Sequence, residues 1–182
     1  MRPGLTPAAF LIEGSAMDTD DDALGLLARR VAAALDASSC TLASAESCTG
    51  GWIAKLLTDI PGSSGWFEAA AVTYSNAAKA ALLAVDAALI EAEGAVSEPV
   101  AEAMAAGARH QLQADLAVAV SGIAGPGGGS AQKPVGTVWI AWAGPGSALR
   151  SQVYKFDGDR DAVRRQAVAS ALEGVLRQTG SE

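Results

Sequence analysis

Thr41-Leu42-Ala43-Ser44-Ala45-Glu46-Ser47-Cys48-Thr49-Gly50-Gly51-Trp52-Ile53 holds the transition on which the fold turns. Residues 41–45 read as a short buried strand. The polar, glycine-rich run 46–51 then turns the chain into a helix that carries Ile53, Leu56 and Leu57. Strand, tight polar turn and helix in that order form the repeating unit of an α/β sheet.

The pattern repeats outward from this unit. Upstream, an acidic opening at 18–22 leads into Leu24, Leu26, Leu27, Val31, Ala34 and Leu35, spaced as on one face of a helix. Downstream, a Pro/Gly loop at 60–65 precedes a strand over 67–74, a polar turn at Ser75-Asn76, and a helix with Lys79, Leu82 and Leu83. Gly94 breaks the chain, and Ser97 with Pro99 starts a further helix running to about residue 113. A Leu/Ala/Val strand at 115–121 enters the densest glycine cluster, 122–130. Strands at 135–143 and 149–156 are joined by Gly144-Pro145-Gly146-Ser147, short enough for an antiparallel hairpin. Asp157-Gly158-Asp159 caps a closing helix through Leu176. The expected fold is a three-layer α/β/α arrangement: a mixed, mostly parallel sheet of about five strands, with helices on its faces and the hairpin near the C-terminus.

With 182 residues, half of them hydrophobic, the chain has apolar surface for one substantial core, and one domain is expected over 18–182. Residues 1–17 read as a disordered or extended leader. Arg2 is the only basic residue before their apolar stretch, a poor signal peptide, and Met17 offers an alternative start. A net charge of −7 argues against a broad surface that tracks nucleic-acid phosphates and leaves room for local basic patches. No apolar run reaches the roughly 18 residues that would suggest a membrane span. Two cysteines, Cys40 and Cys48, are too few for a disulfide scaffold and fit a reducing compartment, so a cytoplasmic location is expected.

Ligands of open α/β sheets sit outside the carboxyl ends of strands, where three polar clusters fall here: 46–51, 74–79 and 121–130. His110 is the only histidine, with no second metal ligand three or four residues on, so neither a catalytic zinc site nor a Ser-His-Asp triad is expected. Ser47 at its turn reads two ways: as a helix cap, or as a nucleophile followed by amides of Thr49, Gly50 and Gly51 open to an anion. Cys48 beside it lacks a histidine partner and reads as structural. Lys79 falls in the first turn of its helix, with Asn76 as the expected cap. There the helix dipole and burial would both lower its pKa and make it a base; a solvated surface lysine is the alternative. The glycine cluster after Ser121 matches no nucleotide fingerprint. Arg160, Arg164 and Arg165 at the start of the last helix, the first two sharing a face, suit a phosphate or pairing with Asp157, Asp159 and Asp161.

Together, Ala45-Glu46-Ser47-Cys48-Thr49-Gly50-Gly51, Val72-Thr73-Tyr74-Ser75-Asn76-Ala77-Ala78-Lys79, Gly94-Ala95-Val96-Ser97-Glu98, Ser121-Gly122-Ile123-Ala124-Gly125-Pro126, Lys133-Pro134-Val135-Gly136-Thr137-Val138 and Phe156-Asp157-Gly158-Asp159-Arg160 resemble the CinA carboxy-terminal domain family, in collinear order over 24–176. The resemblance implies hydrolysis of the carboxamide of nicotinamide mononucleotide, with Ser47, Tyr74 and Lys79 as the catalytic set and no cofactor. The substrate would meet Thr49, Gly50, Gly51, Asn76, Ser121, Gly122, Gly125, Arg160 and Arg164. The implied partner is this small molecule, with no nucleic acid or membrane. A homo-oligomer is expected from Trp52, Trp66, Trp139 and Trp142, which suit subunit contacts as well as a core. An idle binding module, or an amidase for another small amide, are the competing readings.

Overall fold

The structure, a computed structural model, describes residues 12–13 and 19–180. Apart from Ile12–Glu13, the leader expected over 1–17 lies outside the described residues.

Asp20 opens the first helix, α1 (Asp21–Ser38), by accepting the Ala23 amide at 2.8 Å. Asp21 and Asp22 add negative charge where the helix dipole favours it. Ser39, at φ 52, closes it in the left-handed region. The decisive unit then appears as expected: β2 (Leu42–Glu46), a turn, and α2 (Trp52–Thr58). It is followed by β3 (Phe67–Val72), α3 (Asn76–Leu83), α4 (Ala87–Glu93) and α5 (Glu98–Gln111). The chain finishes with β4 (Leu116–Gly122), β5 (Thr137–Ala143), β6 (Leu149–Lys155) and α6 (Arg160–Gln178). Ile12–Glu13 form a two-residue strand, β1, parallel to β6.

The sheet order is β1-β6-β5-β4-β2-β3. β2 pairs in parallel with both β3 and β4, while β5 runs antiparallel to β4 and β6. Every strand except β5 therefore points the same way, which is the mixed, mostly parallel sheet expected, with the hairpin between β5 and β6. β3 stops at Val72, two residues short of the expected strand, because the carbonyls of Thr73 and Tyr74 turn away to meet Lys79.

The two sheet faces are built differently. Leu42, Leu116, Val118, Val120, Val138, Ile140 and Trp142 face α1, α2 and α6 in one core. Ala43, Ala45, Ala117, Ala119, Ala141 and Ala143 face α3, α4 and α5 in the other. Side chains alternate across a strand, so one sequence of Leu/Ala/Val strands yields a bulky face and an alanine face. The alanine face lets α5 lie close on the sheet. α5 in turn holds α3 closely: a Cβ on Gly107 would sit 2.1 Å from the Leu83 carbonyl oxygen. No helix among the described residues is long and apolar enough to cross a membrane.

Candidate active site

The carboxyl ends of β2, β3 and β4 lie side by side, and the three polar clusters meet there. Ser47 leaves β2 with its backbone fixed on both sides. Its amide donates to the Val120 carbonyl of β4 at 3.0 Å, and the Glu46 carbonyl accepts from Thr73 beyond β3 at 2.8 Å. Ser47 does not cap α2; that position belongs to Gly51, at φ 95.

The cap's work is done instead by Glu46, a residue the sequence reading passed over. Its carboxylate is fully buried and accepts from the amides of Gly51 (2.9 Å), Ile53 (3.2 Å) and Ala54 (2.9 Å), and from the Ser44 hydroxyl (3.2 Å). An acid ending an apolar strand was the available signal, since a buried carboxylate must find donors. This corrects the expectation for the turn. The Gly51 amide is occupied by Glu46 and the Gly50 amide by the Ser47 carbonyl, so neither is open to a substrate anion.

Lys79 is the other centre of the site. It is only 1% exposed, and its Nζ lies 3.1 Å from Ser47 Oγ, 2.9 Å from the Thr73 carbonyl and 3.4 Å from the Tyr74 carbonyl. Burial lowers its pKa, opposed in lesser part by the Cys48 thiol nearby. The alternative of a solvated surface lysine is thereby excluded. The α3 cap is Ser75, whose hydroxyl accepts from the Ala78 amide, and not Asn76, which is the first helical residue. Burial pushes the Cys48 thiol up to about 11, so it stays protonated beside the serine.

A cleft of about 220 Å³ opens over this pair, lined by Ser47, Cys48, Tyr74, Asn76, Lys79, Ala95, Val96, Ser121, Gly122, Ala124 and Arg160. Ser121 holds the wall by donating to the Ala95 carbonyl at 2.6 Å. Tyr74 is exposed at the rim. Its hydroxyl accepts from Arg160 at 3.2 Å, and it is its backbone carbonyl, not the phenol, that meets Lys79. Arg160 also donates to the Gly125 carbonyl at 2.7 Å, which ties the glycine-rich loop to the rim. Arg164 lies elsewhere: its Nε and Nη2 donate to the carbonyls of Cys48 (3.0 Å) and Thr49 (2.9 Å) from behind the turn. It does not line the cleft, and neither do Thr49, Gly50, Gly51 or Gly125. Of Arg160, Arg164 and Arg165, Arg165 alone meets the expected pairing with nearby aspartates among the described residues. Asp161 binds Arg165, and Asp159 caps α6. His110 is exposed at the end of α5, and the described residues contain no grouping of three His, Cys, Asp or Glu able to hold a metal.

The arrangement supplies a hydroxyl and a buried amine in contact. A neutral amine has two N–H donors and one lone pair. The two carbonyls take the donors, and the lone pair is left for the Ser47 hydroxyl proton.

Residues 25–179 match the family model described as the CinA C-terminal domain. The protein named nicotinamide-nucleotide amidohydrolase PncC from Escherichia coli (strain K12) is 54% identical over 161 residues, 87% of this chain and 96% of its own. The protein of the same name from Pseudomonas putida is also 54% identical over 161 residues, with 88% and 99% covered. Among solved structures, the competence/damage inducible protein CihA of Agrobacterium tumefaciens superposes with a TM-score of 0.82 at 41% identity, covering 85% of this chain and 94% of that one.

Proposed function

The chain belongs to the CinA C-terminal domain family, and we propose that it is a nicotinamide-nucleotide amidohydrolase that attacks the carboxamide with Ser47. The observation that carries the mechanism is the buried contact between Lys79 Nζ and Ser47 Oγ. Lys79, neutral, takes the hydroxyl proton as Ser47 Oγ bonds to the carboxamide carbon of nicotinamide mononucleotide. The Cys48 amide, which no carbonyl in the turn takes among the described residues and which belongs to the cleft lining, is the donor offered to the developing oxyanion. The proton then passes from Lys79 to the departing nitrogen, ammonia leaves, and a nicotinoyl ester remains on Ser47. Water, deprotonated by the same lysine, hydrolyses the ester to nicotinic acid mononucleotide. Tyr74 and Arg160 form the rim, where Arg160 suits the substrate phosphate and Tyr74 presents Arg160 to it.

The same reading places the protein in the cytoplasm as a homo-oligomer, working on a small-molecule substrate without a cofactor. Ammonia release from nicotinamide mononucleotide by the purified chain tests the activity. Ser47→Ala should lower it by about a thousandfold or more with an unchanged circular-dichroism spectrum. Turnover within a few-fold of the parent would remove Ser47 from the mechanism.

A further inference from the structure

Behind the Ser47 turn lies a second cavity, of about 610 Å³, that shares no lining residue with the catalytic cleft. Its size is within the roughly 300–1,000 Å³ of small-molecule sites. Three helices and the turn form it: α1 through Asp21, Gly25 and Arg29, Gly50 and Gly51 from the turn, α2 from Trp52 onward, and α6 through Arg164 and Arg165. In a chain with net charge −7 this cavity is basic, with Arg29, Lys55, Arg164 and Arg165 against Asp21 and Asp59. Both aspartates are already paired, with Arg165 and Lys55 respectively. The Arg29 side chain makes no hydrogen bond or ion pair among the described residues.

The Arg165 guanidinium is bound by Asp21 and Asp161, while the guanidiniums of Arg29 and Arg164 meet no acid among the described residues. Those of Arg164 and Arg165 lie 5.0 and 4.9 Å from the centre of the Trp52 ring, which orders both by cation–π attraction. Gly25 keeps the floor open. The atoms nearest to a Cβ there would be the Arg29 guanidinium nitrogens, at 3.9 and 4.0 Å, although glycine is a poor residue for a helix interior.

We propose that this cavity is a second, non-catalytic binding site for a phosphate-bearing small molecule, held by Arg29 and Arg164, and that its occupancy is transmitted to Ser47 through Arg164. The coupling route is short. Arg164 spends two donors on the carbonyls of Cys48 and Thr49, directly after Ser47, and its remaining donors belong to the cavity. An oxyanion drawing on the same guanidinium shifts the position of the turn. The site is independent of the assignment of Ser47, because binding is measured whether or not an amide is hydrolysed.

Inorganic pyrophosphate is the probe, titrated calorimetrically into the full chain at low and at physiological salt, since an exposed cluster of this kind is screened by ions. Arg29→Glu and Gly25→Glu should each weaken binding by about tenfold or more, the equivalent of one charge-assisted contact, while leaving kcat and KM without pyrophosphate unchanged. Gly25→Glu keeps all four cations and improves the helix, so a loss there is not a failure to fold. Arg160→Ala, in the catalytic cleft, should leave the binding intact. Pyrophosphate should alter kcat for nicotinamide mononucleotide in the parent and not in Arg29→Glu. The site is refuted by absence of binding at millimolar pyrophosphate, or by binding that Arg160→Ala removes and Arg29→Glu retains. Binding at the cavity with purely competitive inhibition, or with no change in kcat, overturns the coupling.

Discussion

A single buried amine sets the chemistry at the residue scale. Folding lowers the pKa of Lys79, so the unfolded chain binds that proton more tightly than the native one. The penalty for burying the ammonium is therefore full at pH values below the native pKa. It is relieved as pH climbs from there towards 10.5, and stability rises with pH across that window. Lys79→Met should abolish this slope, raise the urea midpoint at neutral pH, and reduce kcat by about 10³. Lys79→Arg should lose activity equally, because a guanidinium does not give up its proton. In the parent, kcat/KM should rise with pH through an inflection below the ordinary lysine value; a flat profile together with an active Lys79→Arg would eliminate the amine as base. Sequence gave only part of this. The spacing from Tyr74 put Lys79 in a first helical turn, but the two carbonyls that orient it come from the backbone of Thr73 and Tyr74, and a sequence does not announce which carbonyls are left over.

Elements matter here for what they hold still. The α2 N-terminus is neutralised by Glu46, so the helix, the turn and the nucleophile move as one body. Glu46→Gln keeps the shape but turns an NH₂ group towards amide donors. It should destabilise the fold by about 1–3 kcal/mol and lower kcat more than it raises KM, as read by denaturant midpoints and steady-state kinetics. If kcat, KM and the midpoint were all unaltered, Glu46 would have no positioning role. On the other face, Gly107→Ala would drive a methyl into the Leu83 carbonyl at the end of α3. Helix propensity favours the alanine by about 1 kcal/mol. The clash should outweigh that gain, giving a net loss of about 1–3 kcal/mol and a fall in kcat as Lys79 shifts with its helix. The element types and the direction of the hairpin were legible because alternation and helical spacing are local. The identity of the α2 cap was not, since Glu46 reaches forward across five residues of turn to close a helix it does not belong to.

For the whole molecule, the placing of the site follows from strand direction. β2, β3, β4 and β6 all end at the edge where Ser47, Lys79, Gly122 and Arg160 gather, and this much was readable from three polar clusters at strand ends. What lies on each layer was not readable, and neither was the cavity behind the turn, because α1, α2 and α6 come together only in three dimensions. β3 is the outermost strand on its side, and Val72 at its end and Leu82 on α3 are 47% and 53% exposed. Exposed apolar residues beside an open strand suit a contact between copies. Light scattering should give a mass well above the 18.2 kDa of one chain, and Val72→Lys with Leu82→Lys should bring it down. A parent measured at 18.2 kDa would rule out the oligomer. The reversed direction of β5 carries a last consequence. The chain leaves β4 and re-enters β5 at the same edge, and the base of that excursion is closed by the Ile123 amide donating to the Thr137 carbonyl and the Gly136 amide donating to the Ile123 carbonyl. Residues 126–132, exposed throughout, are thus a cassette hung from a fixed frame. Their length and composition can drift, or be exchanged between relatives, at little expense to either core, so a library confined to that stretch would vary substrate preference while the serine and its base stay put.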